Sequence, residues 1–219
     1  MTALELLNTF YVKSKSNTQL EGVDIPSNDI ELFLNNSQEL LTQKYYETYF
    51  TDRDSSTILN KLLRVQRFDS TNYFQNNTNV ENGYYFVLPS DMKYIVMEEV
   101  TQSKDGISYR PRIKEITEKH FNLNDKNPFK KPYENMCWKI IHGVNSTNVS
   151  NKSVQIIIPV GYSLDYYYLH YLKNPVSINF ASNITSELSE TVHYELVETA
   201  IELAVKAYKY NLSINEYKQ

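Results

Sequence analysis

The stretch from Tyr162 to Asn211 constrains the fold more than any other part of the sequence. Its first part, residues 162–172, is rich in tyrosine and other residues that favour strands, and it ends shortly before Pro175, which cannot donate to a strand ladder. After a short extended piece, 176–180, and a polar break, the pattern changes to the period of an amphipathic helix. The apolar stripe of that helix consists of Leu188, Val192, Leu196, Val197, Ala200, Ile201, Ala204, Val205 and Tyr208. The sequence therefore predicts a strand followed by a long C-terminal helix.

The predicted C-terminal helix needs a surface on which to bury its stripe. Ser189 is its candidate N-cap, and at about 1.5 Å per residue a helix from Ser189 to Asn211 spans roughly 34 Å. The other strong helical patterns lie at the opposite end of the chain. The simplest closed fold therefore packs the C-terminal helix against the N-terminal helices.

The N-terminal third predicts three helices joined by short polar loops. The first covers residues 2–16, and the second covers about 27–50 with Ser27 as its candidate N-cap. Asp52 or Asp54 caps the third. The apolar positions of the first helix are Leu4, Leu7, Phe10 and Tyr11, and those of the third are Ile58, Leu59, Leu62, Leu63 and Val65.

The middle of the chain predicts strands at 84–88, 94–101, 107–116, 136–142 and 153–158. Lys104-Asp105-Gly106 is typical of a hairpin turn, and Pro111 makes the third of these strands an edge or bulged strand. Residues 117–121 fit a single helical turn, 69–82 a surface loop, and 127–132 an extended linker, because a residue before proline avoids the helical region. The fold class that follows is α+β. N-terminal helices and a long C-terminal helix form a helical bundle (1–68 plus 186–219), and an antiparallel β-sheet lobe (69–185) is inserted.

Composition narrows the classes of function. A chain of 219 residues suits one sizeable core or a core with an inserted lobe, and its net charge of −4 provides no basic footprint for nucleic acid. No apolar run approaches the roughly 20 residues that cross a bilayer, and the first residues do not resemble a signal peptide, so we expect an intracellular protein with no membrane contact. The 19 tyrosines and 5 glycines suit a surface used for contacts with other chains.

No catalytic, cofactor or metal site is predicted from the residues. The four histidines, His120, His142, His170 and His193, lack metal-ligand spacing and are expected at the surface or as caps. Glu98 and Glu99 alternate faces of a strand, and solvent exposure of at least one is expected. The single cysteine, Cys137, lies beside Trp138 in an apolar run and is expected to be a buried thiol.

Two alternatives stay open. One is a nucleic-acid-binding accessory protein that uses Lys130 and Lys131, next to Phe129, together with exposed tyrosines. Of Tyr166, Tyr167 and Tyr168, the first and third share a face of the predicted strand. The other alternative is an enzyme built on Cys137 and a histidine distant in sequence.

Three segments, in this order, resemble structural proteins of tailed bacteriophages, especially the connector or ring proteins of crAss-like phages. They are residues 25–35 (IPSNDIELFLN) before a helix, residues 127–132 (NPFKKP) followed by Trp138, and residues 171–178 (YLKNPVSI), which lead through ELSE at 187–190 into the final helix. The resemblance extends from about residue 25 to 210. It is carried by the series of segments, since none of them is a catalytic signature.

The resemblance implies a virion structural protein without enzymatic activity or cofactor, made in the bacterial host cytoplasm. It implies a homo-oligomeric ring, commonly of twelve copies, in the head-tail connector or tail, with other ring or portal proteins above and below and DNA passing through the lumen. A mildly acidic chain is compatible with that path, since a wall of lysines would hold the phosphate backbone. The segments point to assembly or interface residues Asn127, Pro128, Phe129, Lys130, Lys131, Pro132, Tyr171, Lys173 and Pro175.

Overall fold

A computed structural model describes residues 1–20, 22–69, 83–124, 127–142 and 152–216, with side chains described up to Tyr208 except for Pro128. The chain divides into two compact units, which we call the helical unit (1–63 with 174–219) and the sandwich unit (64–173). The predicted α+β class is confirmed. The predicted limits of the inserted lobe, 69 and 185, stay predictions.

The described residues form five α-helices and eight strands. The helices are α1 (Ala3–Lys15), α2 (Ser27–Glu47), α3 (Arg53–Leu59), α4 (Glu118–Asn124) and α5 (His193–Glu216), with 3-10 turns at Asn60–Leu62, Pro128–Lys130 and Glu190–Val192. The strands are β1 (Leu63–Asp69), β2 (Gly83–Val87), β3 (Met92–Lys104), β4 (Ile107–Tyr109), β5 (Arg112–Glu115), β6 (Met136–His142), β7 (Ser153–Ile157) and β8 (Ser163–Lys173).

In the helical unit, α5 packs against α1 and α2. The predicted stripe of α5 is buried from Leu188 to Ala204, and Val205 and Tyr208 are half-buried. Ser37 on α2 donates to the carbonyl of Leu196 at 2.7 Å, which joins the two helices inside the core. The two ends of the chain therefore meet in one core, as the apolar stripes predict.

Polar contacts hold the edges of this helix packing. Lys13 on α1 pairs with Glu198 at 2.5 Å, and Lys44 on α2 pairs with Glu195 at 2.6 Å. The hydroxyl of Tyr45 also donates to Glu195. Surface ion pairs of this kind each stabilise a fold by at most about 1 kcal/mol, so the apolar stripe remains the main source of stability.

A row of polar side chains on α2 binds the extended segment 176–180. Asn35 donates to the carbonyl of Ile178 at 3.0 Å and accepts from its N–H at 2.7 Å. Gln38, one turn further, donates to the carbonyl of Val176 at 3.0 Å, while Glu31, one turn before, accepts from the N–H of Phe180 at 3.0 Å. Positions 31, 35 and 38 lie on one face of a helix, so α2 satisfies backbone groups that no strand ladder satisfies there.

The structure corrects three details of the helical predictions. Phe10 is buried, as its position on the predicted apolar face indicates, but Leu4 is 56% exposed, and α1 also buries Ala3 and Leu6. Ser27 begins α2 but makes no side-chain cap, and this helix ends at Glu47 instead of Phe50. The third helix, capped by Asp52 as predicted, stops at Leu59 and gives way to β1.

The prediction that Val65 belongs to the buried side of a helix is wrong. Val65 lies on β1 and is 57% exposed, whereas Phe68 on the same strand is 5% exposed. The apolar residues from Ile58 to Leu62 have helical spacing. Val65, which follows them, is β-branched and favours a strand.

The sandwich unit contains two four-stranded sheets. The first sheet has the order β1-β8-β3-β4, and the second sheet has the order β2-β7-β6-β5. Side chains of both sheets form one core, which includes Phe68, Phe86, Val100, Ile156 and Tyr167. On the outer face of the second sheet, Phe121 of α4 packs against Trp138, with ring centroids 6.2 Å apart.

The predicted hairpin turn is confirmed. β3 and β4 are antiparallel, with Lys104 opposite Ile107, and the turn residues Asp105 and Gly106 have φ angles of 52° and 79°. Two consecutive positive φ angles are what a tight two-residue hairpin requires, and glycine adopts them without a steric cost.

Pro111 divides the strand predicted at 107–116 into β4 and β5, which lie at the edges of different sheets. The predicted edge position is confirmed, and the single continuous strand is wrong. Proline has no N–H for a ladder, so the chain leaves the first sheet there and joins the second.

The purely antiparallel lobe also needs correction, because β5 and β6 are parallel, with Arg112 opposite Met136. Parallel neighbours need a crossover of about a dozen residues or more, and here it contains α4 and the segment 127–132. That segment is not a fully extended linker, since Pro128–Lys130 form a 3-10 turn; Asn127 before the proline is extended, as predicted.

Candidate assembly surface

We call residues 127–132, the last part of the crossover between β5 and β6, the crossover turn. The side chain of Asn127 accepts from the N–H of Phe129 at 3.1 Å, and its carbonyl accepts from the N–H of Lys130 at 3.1 Å. These bonds fix a compact turn. Phe129 at its tip is 96% exposed, and Lys130 and Lys131 are exposed beside it.

The exposure of Phe129 points to a contact surface because of its position in the crossover. A scattered exposed apolar residue is ordinary on a protein surface. Phe129, however, stands on a turn fixed by hydrogen bonds, and the same crossover carries Leu123, 72% exposed, and Tyr133, 55% exposed. Burying one such ring in a neighbour stabilises a contact by about 1.5–3 kcal/mol. The crossover turn therefore has the properties of an interface anchor.

The other predicted interface residues lie where β8 ends and the chain leaves the sandwich unit. Tyr171 is only 6% exposed, and its hydroxyl donates to Asp91 at 3.2 Å. Burial and the neighbouring Asp91 raise the pKa of Tyr171. Lys173 ends β8 and is half-buried, as is Pro175. Tyr171 thus contributes to the core of its own subunit, and its role as an interface residue stays a prediction.

A polar network that the sequence analysis missed lies inside the sandwich unit. The Lys139 amine is 2.5 Å from a carboxylate oxygen of Glu98 and 2.9 Å from one of Glu115. The hydroxyl of Tyr167 donates to the other oxygen of Glu98 at 2.6 Å. Desolvation opposes the charge of Lys139, but the two carboxylates outweigh it and raise its pKa, while burial foremost raises the pKa of Tyr167. The sequence feature that could have revealed this network is Lys139, a charged residue within the apolar run of β6.

Glu98 and Glu99 point to opposite faces of β3, and only Glu98 belongs to this network. Glu99 lies opposite Tyr168 in the antiparallel register of β3 and β8. Glu98 faces the other way, toward the buried Lys139, and its side chain is only 12% exposed. The predicted alternation of the two carboxylates is therefore confirmed.

A groove of about 820 Å³ lies next to this network. It is lined by residues of β3 and β5, by Tyr133 and Asn135 from the end of the crossover, and by residues of β6. Met97 and Ile141, which line it, are 49% and 41% exposed. The groove therefore combines strand backbone, apolar side chains and charge.

The buried thiol predicted at Cys137 is confirmed. Its side chain is fully buried, and desolvation raises its pKa to about 12. The Sγ–H group donates to the carbonyl of Arg112 at 3.7 Å. A protonated thiol facing a backbone carbonyl is a poor nucleophile, so the geometry disfavours an enzyme built on Cys137.

Three of the histidines have structural partners among the described residues. The ring of His120 meets that of Trp138 edge-on, with centroids 6.3 Å apart. His142 contacts Glu118 at 3.0 Å and Gln155 at 3.1 Å on the outer face of the second sheet. His193 is 1% exposed, so its expected surface position is wrong; its Nε2 is 3.2 Å from the carbonyl of Leu188. Within the described ranges, no cluster of three or more His, Cys, Asp or Glu side chains could hold a metal.

The features of the nucleic-acid alternative lie on different sheets. Tyr166 and Tyr168 share the outer face of the first sheet, with ring centroids 6.1 Å apart, and Arg67 lies 3.8 Å above the Tyr166 ring. Lys130 and Lys131 belong to the crossover of the second sheet. The predicted shared face of the two tyrosines is confirmed. The tyrosines lie on the first sheet, whereas the lysines lie in a connection between strands of the second sheet.

None of the helices in the described part of the chain is both long and apolar enough to cross a membrane.

Comparison with known proteins gives two findings. The model of the family described as "Phage tail ring protein 3/4" matches residues 1–216. A relative from Bacteroides phage crAss001, "Ring protein 4/5", is 26% identical over 140 residues, which cover 57% of this chain and 56% of the relative. The matched stretch thus spans little more than half the length of that relative. Because the family match extends over nearly the whole sequence, the chain belongs to the phage tail ring protein 3/4 family, the ring proteins of crAss-like phages.

Proposed function

We propose that this chain is a virion structural protein that forms a homo-oligomeric ring in the head-tail connector or tail, with DNA passing through the lumen. The observation that carries the proposal is the family match over residues 1–216. Twelve copies per ring, with portal or other ring proteins above and below, complete the proposal. The protein acts by position and shape, without catalysis.

A closed ring needs heterologous contacts, in which one surface of a subunit binds a different surface of the next. We assign the crossover turn to one of these surfaces, since it presents Phe129, Lys130 and Lys131 on a fixed backbone. Lys173 and Pro175 belong to a second contact region where β8 ends. The net charge of −4 suits a wall along which DNA moves, because a net negative charge repels the phosphates.

Mass measurement tests the ring. We expect native mass spectrometry of the purified protein, or of rings released from particles, to show a species at twelve times the subunit mass of 25.7 kDa. Peptides of the chain are expected in purified virions. A protein that is strictly monomeric at all concentrations and absent from virions would refute the proposal.

Phe129→Ala tests the crossover turn. The substitution removes an exposed ring, so we expect unchanged thermal stability and an association constant per contact lower by about tenfold or more, from a loss of about 1.5–3 kcal/mol. Phe129→Leu is the matched control, because it keeps an apolar side chain at the same site and retains most of the association. Ring formation by Phe129→Ala at the level of the parent protein would remove Phe129 from the interface.

A further inference from the structure

The groove beside β5 exposes a strand edge. Among the described strands, only β6 pairs with β5, and β4 pairs with β3 only over Gln102–Lys104. The N–H groups of Arg112 and Ile116 donate to carbonyls at the β6 side. Because alternate residues of a strand direct their backbone groups to opposite sides, the N–H and C=O groups of Ile113 and Glu115 point away from β6, and both residues line the groove.

Such an edge is a template for an additional strand. An extended peptide that pairs with it gains main-chain hydrogen bonds, and its alternate side chains contact the walls of the groove. Here the walls offer Met97, Ile113 and Ile141, of which Met97 and Ile141 are exposed. The shape and backbone of the groove thus fit a short extended segment.

The charges of the groove decide the chemistry of that segment. Glu98 and Glu115 are both bound by the Lys139 amine, at 2.5 and 2.9 Å. Arg112 and Lys114 line the same groove, are exposed, and form no ion pair with any residue that the structure describes. Three cations and two carboxylates line the groove, so its net charge is positive, and the two cations without a partner among the described residues lie on the strand whose edge is open.

We propose that this groove binds an extended acidic peptide segment of another protein, which adds as a strand to the edge of β5. Arg112 and Lys114 pair with carboxylates of the segment, and the backbone groups of Ile113 and Glu115 pair with its main chain. This inference goes beyond the proposed ring. It concerns a single subunit, so a failure of peptide binding and a failure of ring assembly are seen in separate experiments.

The test uses two labelled synthetic peptides, Glu-Thr-Glu-Val-Glu-Thr-Glu and Lys-Thr-Lys-Val-Lys-Thr-Lys, with the full chain. We expect fluorescence anisotropy to show that the acidic peptide binds at least about tenfold more tightly than the basic one, and that binding weakens as salt rises. Saturation with the acidic peptide should slow the amide hydrogen exchange of Ile113 and Glu115. That protection distinguishes strand addition from a loose electrostatic contact.

Variants complete the test. The double substitution Arg112→Glu with Lys114→Glu should lower the affinity for the acidic peptide by about tenfold or more, whereas Lys119→Glu, an exposed charge reversal on α4, should leave it unchanged. Equal binding of both peptides, no binding, or unchanged exchange at Ile113 and Glu115 would overturn the proposal. Loss of self-association by the double variant without any peptide would also overturn it, because a second copy would then be the occupant.

Discussion

Lys139→Met is the substitution whose effect follows most directly from the structure. The Lys139 side chain is 5% exposed and the Glu98 side chain 12% exposed, and their charged atoms lie 2.5 Å apart. Removal of the amine leaves a buried carboxylate whose remaining hydrogen-bond donor, among the residues that the structure describes, is the hydroxyl of Tyr167. A buried charge that loses its partner destabilises a fold by about 3–5 kcal/mol. Glu115, with a side chain 61% exposed, stays solvated and adds little to this cost.

The assay can be confined to the sandwich unit, because the single tryptophan, Trp138, is 1% exposed on β6 next to Lys139. Urea unfolding followed by Trp138 fluorescence should give a free energy of unfolding about 3–5 kcal/mol lower at pH 8, which corresponds to a melting temperature roughly 10 °C lower.

Double substitution separates the lost ion pair from lost packing. Lys139→Met with Glu98→Gln removes both charges and keeps an acceptor for Tyr167, so we expect its stability to return to within about 1.5 kcal/mol of the parent. Lys119→Met, at an exposed position on α4, serves as the control and should change the free energy of unfolding by less than about 0.5 kcal/mol. A cost below about 1 kcal/mol for Lys139→Met at pH 8, or no recovery in the double variant, would refute the reasoning.

Two further predictions concern buried titratable groups. Burial, with the amino group of Met1 3.0 Å from Nδ1, lowers the pKa of His193 below 6.5, so stability is complete above pH 6.5 and falls as the unfolded histidine takes up its proton at lower pH. Thermal melts followed by circular dichroism should show a smaller loss between pH 7.5 and 5.5 for His193→Gln than for the parent, and an equal loss would contradict this assignment. Cys137 should react with a thiol reagent at least about a hundredfold more slowly in the native protein than in denaturant, because the buried thiol is protonated and reached only on opening. Rapid labelling of the native chain would show that it is accessible.

The features that neighbouring residues determine, namely helical spacing and turn type, were predicted correctly from the sequence. The stripe of α5 follows from helical spacing, and the turn at Asp105 and Gly106 follows from the φ angles that these residue types tolerate. The start of β1 was missed, because an apolar run such as Ile58–Leu62 does not show where the helical period ends. The row of Glu31, Asn35 and Gln38 was also missed, since polar residues on a helix normally face solvent. Their partners lie more than 130 residues away, and only the tertiary fold brings them together.

The crossover turn exists because β5 and β6, which are distant in the sequence, pair in parallel. Pro111 was recognised as an edge residue, but the sequence did not reveal that the chain changes sheets there and pairs β5 parallel to β6. That parallel pairing requires a long connection. Its first part, α4, uses Phe121 to cover Trp138 on the second sheet. In the remainder, Phe129 is 96% exposed at the tip of a turn that Asn127 holds in place. On the proposed assignment of the crossover turn to the ring interface, changes of its length or sequence should alter assembly while the core stays intact.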